Sequence, residues 1–171
     1  ISPYMGKAFV AIEDERFFKH NGIDIQGIIR AGVNGVAHGF HFTEGASTLT
    51  QQLIKNNVFP NFINESRYQR IERKIQEQYL ALKIEKEMSK EEILEAYMNT
   101  INLGQGCLGV QTAAQRYFNK DAKDLTLSEC AVIAAITQSP SNLNPVSSPE
   151  NNAKRREKAL KNMKEQGFIT K

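Results

Sequence analysis

TLSECAVIAAI, residues Thr126 to Ile136, decides the fold class. A threonine followed three positions later by a glutamate is a capping box, in which each side chain satisfies a backbone N–H of the first helical turn. The run that follows, Cys130 to Ile136, is apolar on all sides, so it belongs inside a bundle. The same punctuation recurs outward from it. Ser89 and Glu92 form a second box that opens a helix with Ile93, Leu94, Tyr97 and Met98 inward, and the glycines of NLGQG, Asn102 to Gly106, release it. GVQTAAQRYF lies within a small-residue helical stretch suited to close packing, and QSPSNLNP, Gln138 to Pro145, reads as a turn. Pro149 occupies the first turn of a basic final helix that Gly167 ends. Upstream, Glu65 to Met88 reads as a long helix with an apolar stripe of Ile71, Ile75, Tyr79 and Leu82. Pro3 starts a first helix with a broad apolar face. No stretch shows sustained strand alternation with hairpin turns, so the expectation is an all-α domain.

The 171 residues suffice for one well-buried core, and 40% hydrophobic with 24% charged residues is an ordinary globular composition. A net charge of +3 implies no nucleic-acid partner but leaves room for a basic face turned to an anionic substrate or lipid. Cys107 and Cys130, far apart among small or apolar neighbours, read as buried thiols. No apolar run approaches the roughly 20 residues of a spanning helix, and no signal peptide is visible. The start at Ile1, without an initiator Met, is consistent with a fragment of something longer.

Chemistry concentrates in EDERFFKHNGID, Glu13 to Asp24. Helix C-termini disfavour acid, so Glu13 and Asp14 at the end of the apolar run Ala8 to Ile12 point to a requirement other than helix stability. A carboxylate at the edge of an apolar helix is partly desolvated, which strengthens it as a proton acceptor and gives it the profile of a general base. The plainer alternative is a solvated turn with Phe17, Phe18 and His20 packing beneath it. Next, Ile25 to Phe42 carries four glycines and one formal charge, Arg30, and reads as a weak helix running into a loop, either a surface helix or a flap that dips into lipid or closes over an amphiphilic substrate. In GASTLTQQLIKN, Gly45 to Asn56, a helix begun by Ser47 or Thr48 puts Ser47, Thr48, Gln51, Gln52 and Lys55 on one face without a neutralising acid, a surface suited to phosphate or sugar hydroxyls. A loop with Pro60 follows. On the long helix, Arg70, Arg73, Lys74 and Glu77 set three cations around one carboxylate; the plainer alternative is ordinary surface ion pairing.

Taken in order, these stretches resemble the peptidoglycan glycosyltransferases, family 51, which occur alone as monofunctional transglycosylases or as the N-terminal module of class A penicillin-binding proteins. Glu13 to Asp24 is similar to that family's EDxxFxxHxGxD, GASTLTQQLIKN to its GxSTxxQQLxKN, and Arg73 to Glu77 to its RKxxE. KEEILEAYMNTINLG and LSECAVIAAITQSPSNLNP resemble its last two motifs. The resemblance implies a lysozyme-like all-α head with a smaller flexible jaw, roughly 25–46, against the membrane. It implies a single glycosyltransferase domain over 1–171, with a spanning helix before it and any transpeptidase after it lying outside this chain. It also implies that lipid II and the growing lipid-linked strand are the substrates, at the outer face of the bacterial cytoplasmic membrane, with membrane lipid at the jaw and a moenomycin-type phosphoglycolipid as an expected inhibitor. Glu13 matches the base, and Glu77 a second essential carboxylate that orients cations or helps to hold Mg²⁺ or Mn²⁺. Lys55, Arg73 and Lys74 match positions that hold the diphosphate; Ser47, Thr48, Gln51 and Gln52 would contact sugar and phosphate oxygens, with Asn56 closing that motif. Asp14, Phe17 and His20 would organise the first motif on the substrate side. Many family members carry an arginine where this chain has Gln69; Arg70 or Arg67 would replace it, with Arg70 preferred because it shares a face with Arg73 and Glu77. The rivals are a lysozyme-like hydrolase of finished glycan and a catalytically dead module that only tethers lipid intermediates.

Overall fold

The computed structural model describes residues 1–37, 46–59 and 64–170. These contain eight α-helices and no strand beyond one isolated bridge, Asn102 to Leu108, so the all-α expectation holds. The helices are α1 (Pro3–Glu13), α2 (Ile25–Ala37), α3 (Leu49–Val58), α4 (Arg67–Glu87), α5 (Lys90–Thr100), α6 (Val110–Phe118), α7 (Leu127–Ile136) and α8 (Pro149–Glu165). They divide into two compact units, one of Ile1–Glu15 with Leu94–Lys171 and one of Arg16–Ile93. Of the stretch expected to form the jaw, α2 belongs to the second unit and residues 38–45 lie outside the described residues, as do residues 60–63 of the loop with Pro60. No helix among the described residues is long and apolar enough to cross a membrane.

In the first unit α7 is the centre. Its capping box forms as the sequence predicts, Thr126 with Glu129, and Cys130, Ala131, Ile133, Ala134, Ala135 and Ile136 are all buried. Four small residues in that set, Cys130, Ala131, Ala134 and Ala135, let α1 and α8 pack closely on it. α1 contributes Met5, Ala8, Phe9, Val10 and Ala11, and the Phe9 ring meets Tyr97 edge-on at 5.4 Å. Each such aromatic contributes about 2 to 3 kcal/mol through burial. α8 is polar overall yet buries Ala159 and Met163, and its Asn152 amide donates to the Val132 and Leu143 carbonyls, fixing its first turn to the middle of α7 and to the segment that follows it. Before α6 the chain turns at Gly109 with φ +79°, where a Cβ would come within 2.5 Å of the Asn99 carbonyl oxygen.

In the second unit α3 packs on α4. α2 is capped by Asp24, whose carboxylate accepts the Gly27 N–H at 3.0 Å. α4 is inverted relative to its hydropathy. Arg73, Glu77 and Ala81 form its buried side, while Ile71, Ile75 and Tyr79 of the apolar stripe are 55, 64 and 68% exposed and Leu82 is also exposed. The inversion is possible because the buried charges neutralise one another and because Ala81 offers bare backbone, against which the chain at Gly22 comes close.

Candidate active site

Glu13 is the last residue of α1 and Asp14 is its C-cap. Acid at this position opposes the helix dipole, and the surroundings supply the compensation. An Nη2 of Arg155, from α8, donates to Glu13 Oε1 at 2.7 Å, and the Thr137 hydroxyl, just past α7, donates to the same oxygen at 2.6 Å. The Asn162 and Gln166 side-chain amides donate to the Ala11 carbonyl at 2.9 and 3.2 Å, satisfying the helix end itself. Glu13 is therefore held by a cation and a hydroxyl rather than standing on a bare apolar edge. Tyr97 is fully buried in the same unit; burial first, then the negative charges of Glu13 and Asp14 against the opposing Arg155, pushes its phenol well up, so it stays neutral.

In the second unit the second and third motifs meet through Lys74. Its Nζ donates to Ser47 Oγ at 3.0 Å and to Glu77 Oε2 at 2.8 Å, while Arg73 Nη1 binds Glu77 Oε1. Arg73 Nε is in turn held by both oxygens of Glu65, at 2.7 and 2.9 Å. The Glu65 hydrogen bond, opposed by burial and helped by Glu77, raises the guanidinium above its ordinary range. The expected arrangement of three cations around one carboxylate is thus corrected: two cations, Arg73 and Lys74, face two acids, Glu65 and Glu77, and Arg70 is exposed. Lys74, with its side chain 42% exposed, is the member of the set open to a ligand, whereas Arg73 is 8% exposed.

Several expected contact residues have structural partners within the protein. Thr48 and Gln51 close a capping box on each other and are buried, and Thr48 Oγ1 also donates to the Gly22 carbonyl at 2.8 Å, joining the second motif to the first. Phe17 is fully buried, with Lys90 4.4 Å above its ring, and Lys90 pairs with Glu85, which also accepts from Thr50. His20 Nδ1 accepts the Gly22 N–H at 3.1 Å, an organising role. Asp14 is buried, and Gln52, Lys55 and Asn56 are half-buried. Gln69 completes the capping box of α4, accepting the Ser66 N–H at 2.9 Å.

Both oxygens of Glu77 already hold cations, and no three His, Cys, Asp or Glu side chains among the described residues are grouped to ligate an ion. A cavity of about 660 Å³ lies in the first unit between the turn at Asn102 to Leu108 and the segment Pro140 to Ser147; amides, hydroxyls and glycines line it together with Leu108 and Pro140, and no expected site residue does.

The transglycosylase family model matches residues 1–164. The chain belongs to the transglycosylase family. It is similar to penicillin-binding protein 1A of Clostridium acetobutylicum, 53% identical over 146 residues that cover 84% of this chain and 18% of that protein. The same-named protein of Clostridium botulinum strain Hall is 48% identical over 171 residues, covering 95% of this chain and 20% of that protein, and that of Escherichia coli K12 is 45% identical over 170 residues, covering 99% and 19%. The chain therefore spans about a fifth of the length of these relatives. In this transglycosylase domain, sequence reasoning missed Arg16, Glu65, Thr137 and Arg155. Arg16 clamps Asp24 through two hydrogen bonds, at 3.1 and 2.6 Å, yet stands at an unspecified position of its motif. Thr137 and Arg155 reach Glu13 from 124 and 142 residues away, so no local spacing signals them.

Proposed function

We propose that this chain is the polymerising domain of a peptidoglycan glycosyltransferase, joining lipid II units into β-1,4-linked strands at the outer face of the bacterial cytoplasmic membrane. Glu13 is the base. It takes the proton from the acceptor N-acetylglucosamine 4-hydroxyl as that oxygen bonds to C1 of the donor N-acetylmuramic acid. The bond from C1 to the diphosphate oxygen breaks with its electron pair on the leaving undecaprenyl diphosphate, and the α-linked donor becomes a β-linked product. A diphosphate needs no protonation to leave if positive charge is already in place. Lys74 is the residue suited to supply it, with Lys55 and the Ser47 hydroxyl beside the same substrate group. Glu77 holds Lys74 in position, Arg73 holds Glu77, and Glu65 holds Arg73.

The observation that carries this reading is the Lys74 ammonium shared between Ser47 and Glu77. A hydrolase of finished glycan needs an acid for a glycosidic oxygen and has no use for such a cation. Incubation with lipid II should yield polymer, and Glu13→Gln should lower the rate at least about 100-fold while leaving lipid II binding within a few-fold. Cleavage of purified cell wall without polymer would establish the hydrolase instead, and binding without polymerisation by the unmodified protein would establish the tether. The exposed apolar residues of α2, Ile25, Ile28, Ile29 and Val33, support a lipid-facing surface in the second unit. A moenomycin-type phosphoglycolipid, offering the same phosphate chemistry, should compete with lipid II.

A further inference from the structure

The charges gathered around the first turns of α4 cancel. Arg73 and Lys74 face Glu65 and Glu77, two cations against two acids, so the cluster as it stands offers a diphosphate no net positive charge. The two acids are held differently. Glu77 lies within α4, is fully buried and receives a cation on each oxygen. Glu65 lies before the helix starts, and among the described residues its carboxylate is held by Arg73 alone. Both of its oxygens accept from the single Nε–H, at 2.7 and 2.9 Å. One proton divided between two acceptors gives a weaker hold than two separate charge-assisted bonds. With Glu65 on that edge of the guanidinium, the Arg73 side chain is 8% exposed.

We infer that Glu65 is an internal stand-in for phosphate, a carboxylate that caps the Nε edge of Arg73 in the free protein and yields it to the diphosphate of the substrate. This rests on the reading that a diphosphate-bearing substrate binds beside Lys74. Carboxylate and phosphate oxygens make the same charge-assisted bonds to a guanidinium, so one can replace the other on an unmoved donor. Lys74 meets the ligand first, because it is the more exposed cation of the pair. Exchange at Arg73 then leaves Glu77 as the one acid of the four charges against two cations, and the anion itself neutralises the surplus. In the free protein Glu65 spares the fold a buried guanidinium with too little negative charge around it. Once the chemistry is over, the returning Glu65 carboxylate competes with the product diphosphate for Nε and favours its release.

An acid that merely steadies Arg73 and an acid that occupies the place of an anion predict opposite effects when its charge is removed. Titration calorimetry with inorganic pyrophosphate, in the absence of divalent metal, reads the difference. Glu65→Gln should bind pyrophosphate about tenfold more tightly than the unmodified protein, whereas a steadying role gives weaker binding because Arg73 is loosened. Glu72→Gln removes an exposed charge from the same helix without uncovering Arg73 and should stay within about twofold. A gain in Glu72→Gln equal to that in Glu65→Gln would assign the effect to net charge and overturn the exchange, and so would unchanged or weaker binding by a folded Glu65→Gln. If Glu65→Gln does not fold, Glu65→Asp decides: it keeps the charge but draws the carboxylate back by one methylene, so it should gain at least about threefold, and no gain overturns the proposal. Lipid II polymerisation by the unmodified protein separates the inference from the reading beneath it. Polymer formed beside a Glu65→Gln that binds pyrophosphate no more tightly overturns the exchange alone, whereas no polymer from the unmodified protein overturns the reading itself.

Discussion

At Asp24 two forces oppose. Burial disfavours the carboxylate, but the Arg16 hydrogen bond, the Gly27 N–H and the nearby Arg16 and His20 charges outweigh it and hold the group below the ordinary carboxylate range. A folded-state value below the unfolded one means that the stabilisation is complete above the unfolded value, about pH 4, and is lost as pH falls through the folded value. The melting temperature of the unmodified protein should therefore fall more steeply below about pH 4 than that of Asp24→Asn, and Asp24→Asn should cost about 1 kcal/mol at neutral pH through the weakened cap of α2. Equal pH slopes in a thermal melt series would remove Asp24 as the source. Glu77 poses a sharper case, since it is fully buried between Arg73 and Lys74. Glu77→Gln leaves two cations without their shared acid, so it should destabilise by about 3 kcal/mol as well as slow polymerisation, and calorimetry beside a rate assay separates the two.

The helices show which features a sequence displays and which it hides. Capping boxes at Thr126 and Ser89 were readable because the motif is local, two side chains and two amides within four residues, whereas the box of Thr48 with Gln51 was read only as a helix begun by Ser47 or Thr48. Thr126→Ala should cost about 1 kcal/mol, a drop of about 2 to 4 °C in a chain of this size, measured by thermal denaturation. Gln69 was read as the position where many family members carry an arginine; that it also closes the capping box of α4 becomes visible only once the helix start makes it the third residue after Ser66. Gln69→Arg should accordingly lower the melting temperature slightly without raising the polymerisation rate. On α4 the period was correct and the side was inverted. Hydropathy assigns the apolar side to the core, but Arg73 and Glu77 are buried by pairing with each other and with Lys74 and Glu65; the pairs within the helix follow its i,i+3 and i,i+4 spacing, whereas Glu65 lies before the helix starts. The partners of Glu13 were illegible for a related reason: Thr137 and Arg155 arrive there only once α1, α7 and α8 have packed.

Over the whole molecule the apolar surface is distributed unevenly. α2 exposes Ile25, Ile28, Ile29 and Val33, and α4 exposes Tyr68, Ile71, Ile75, Tyr79 and Leu82, all of them within the second unit. The first unit keeps its apolar residues largely inside, on α1, α7 and the buried side of α5. Exposed aliphatic and tyrosyl side chains in such number are a liability in water and an asset at a lipid surface, where tyrosine sits at the headgroup level and lysine and arginine reach the phosphates. On α4 these apolar residues are interleaved with exposed Arg67, Arg70, Lys83 and Lys86, the composition of a helix that lies on an interface. The protein should therefore sediment with phospholipid vesicles, more strongly with anionic than with zwitterionic ones. Because each exposed isoleucine can bury about 2 kcal/mol of transfer energy, Ile75→Glu and Ile29→Glu should each weaken vesicle binding at least about tenfold. Both positions are exposed, so the melting temperature in the absence of lipid should be unchanged or higher. Vesicle binding equal to that of the unmodified protein would exclude α2 and α4 as the lipid-facing surface, and a lowered melting temperature in water would mean that these residues pack against protein.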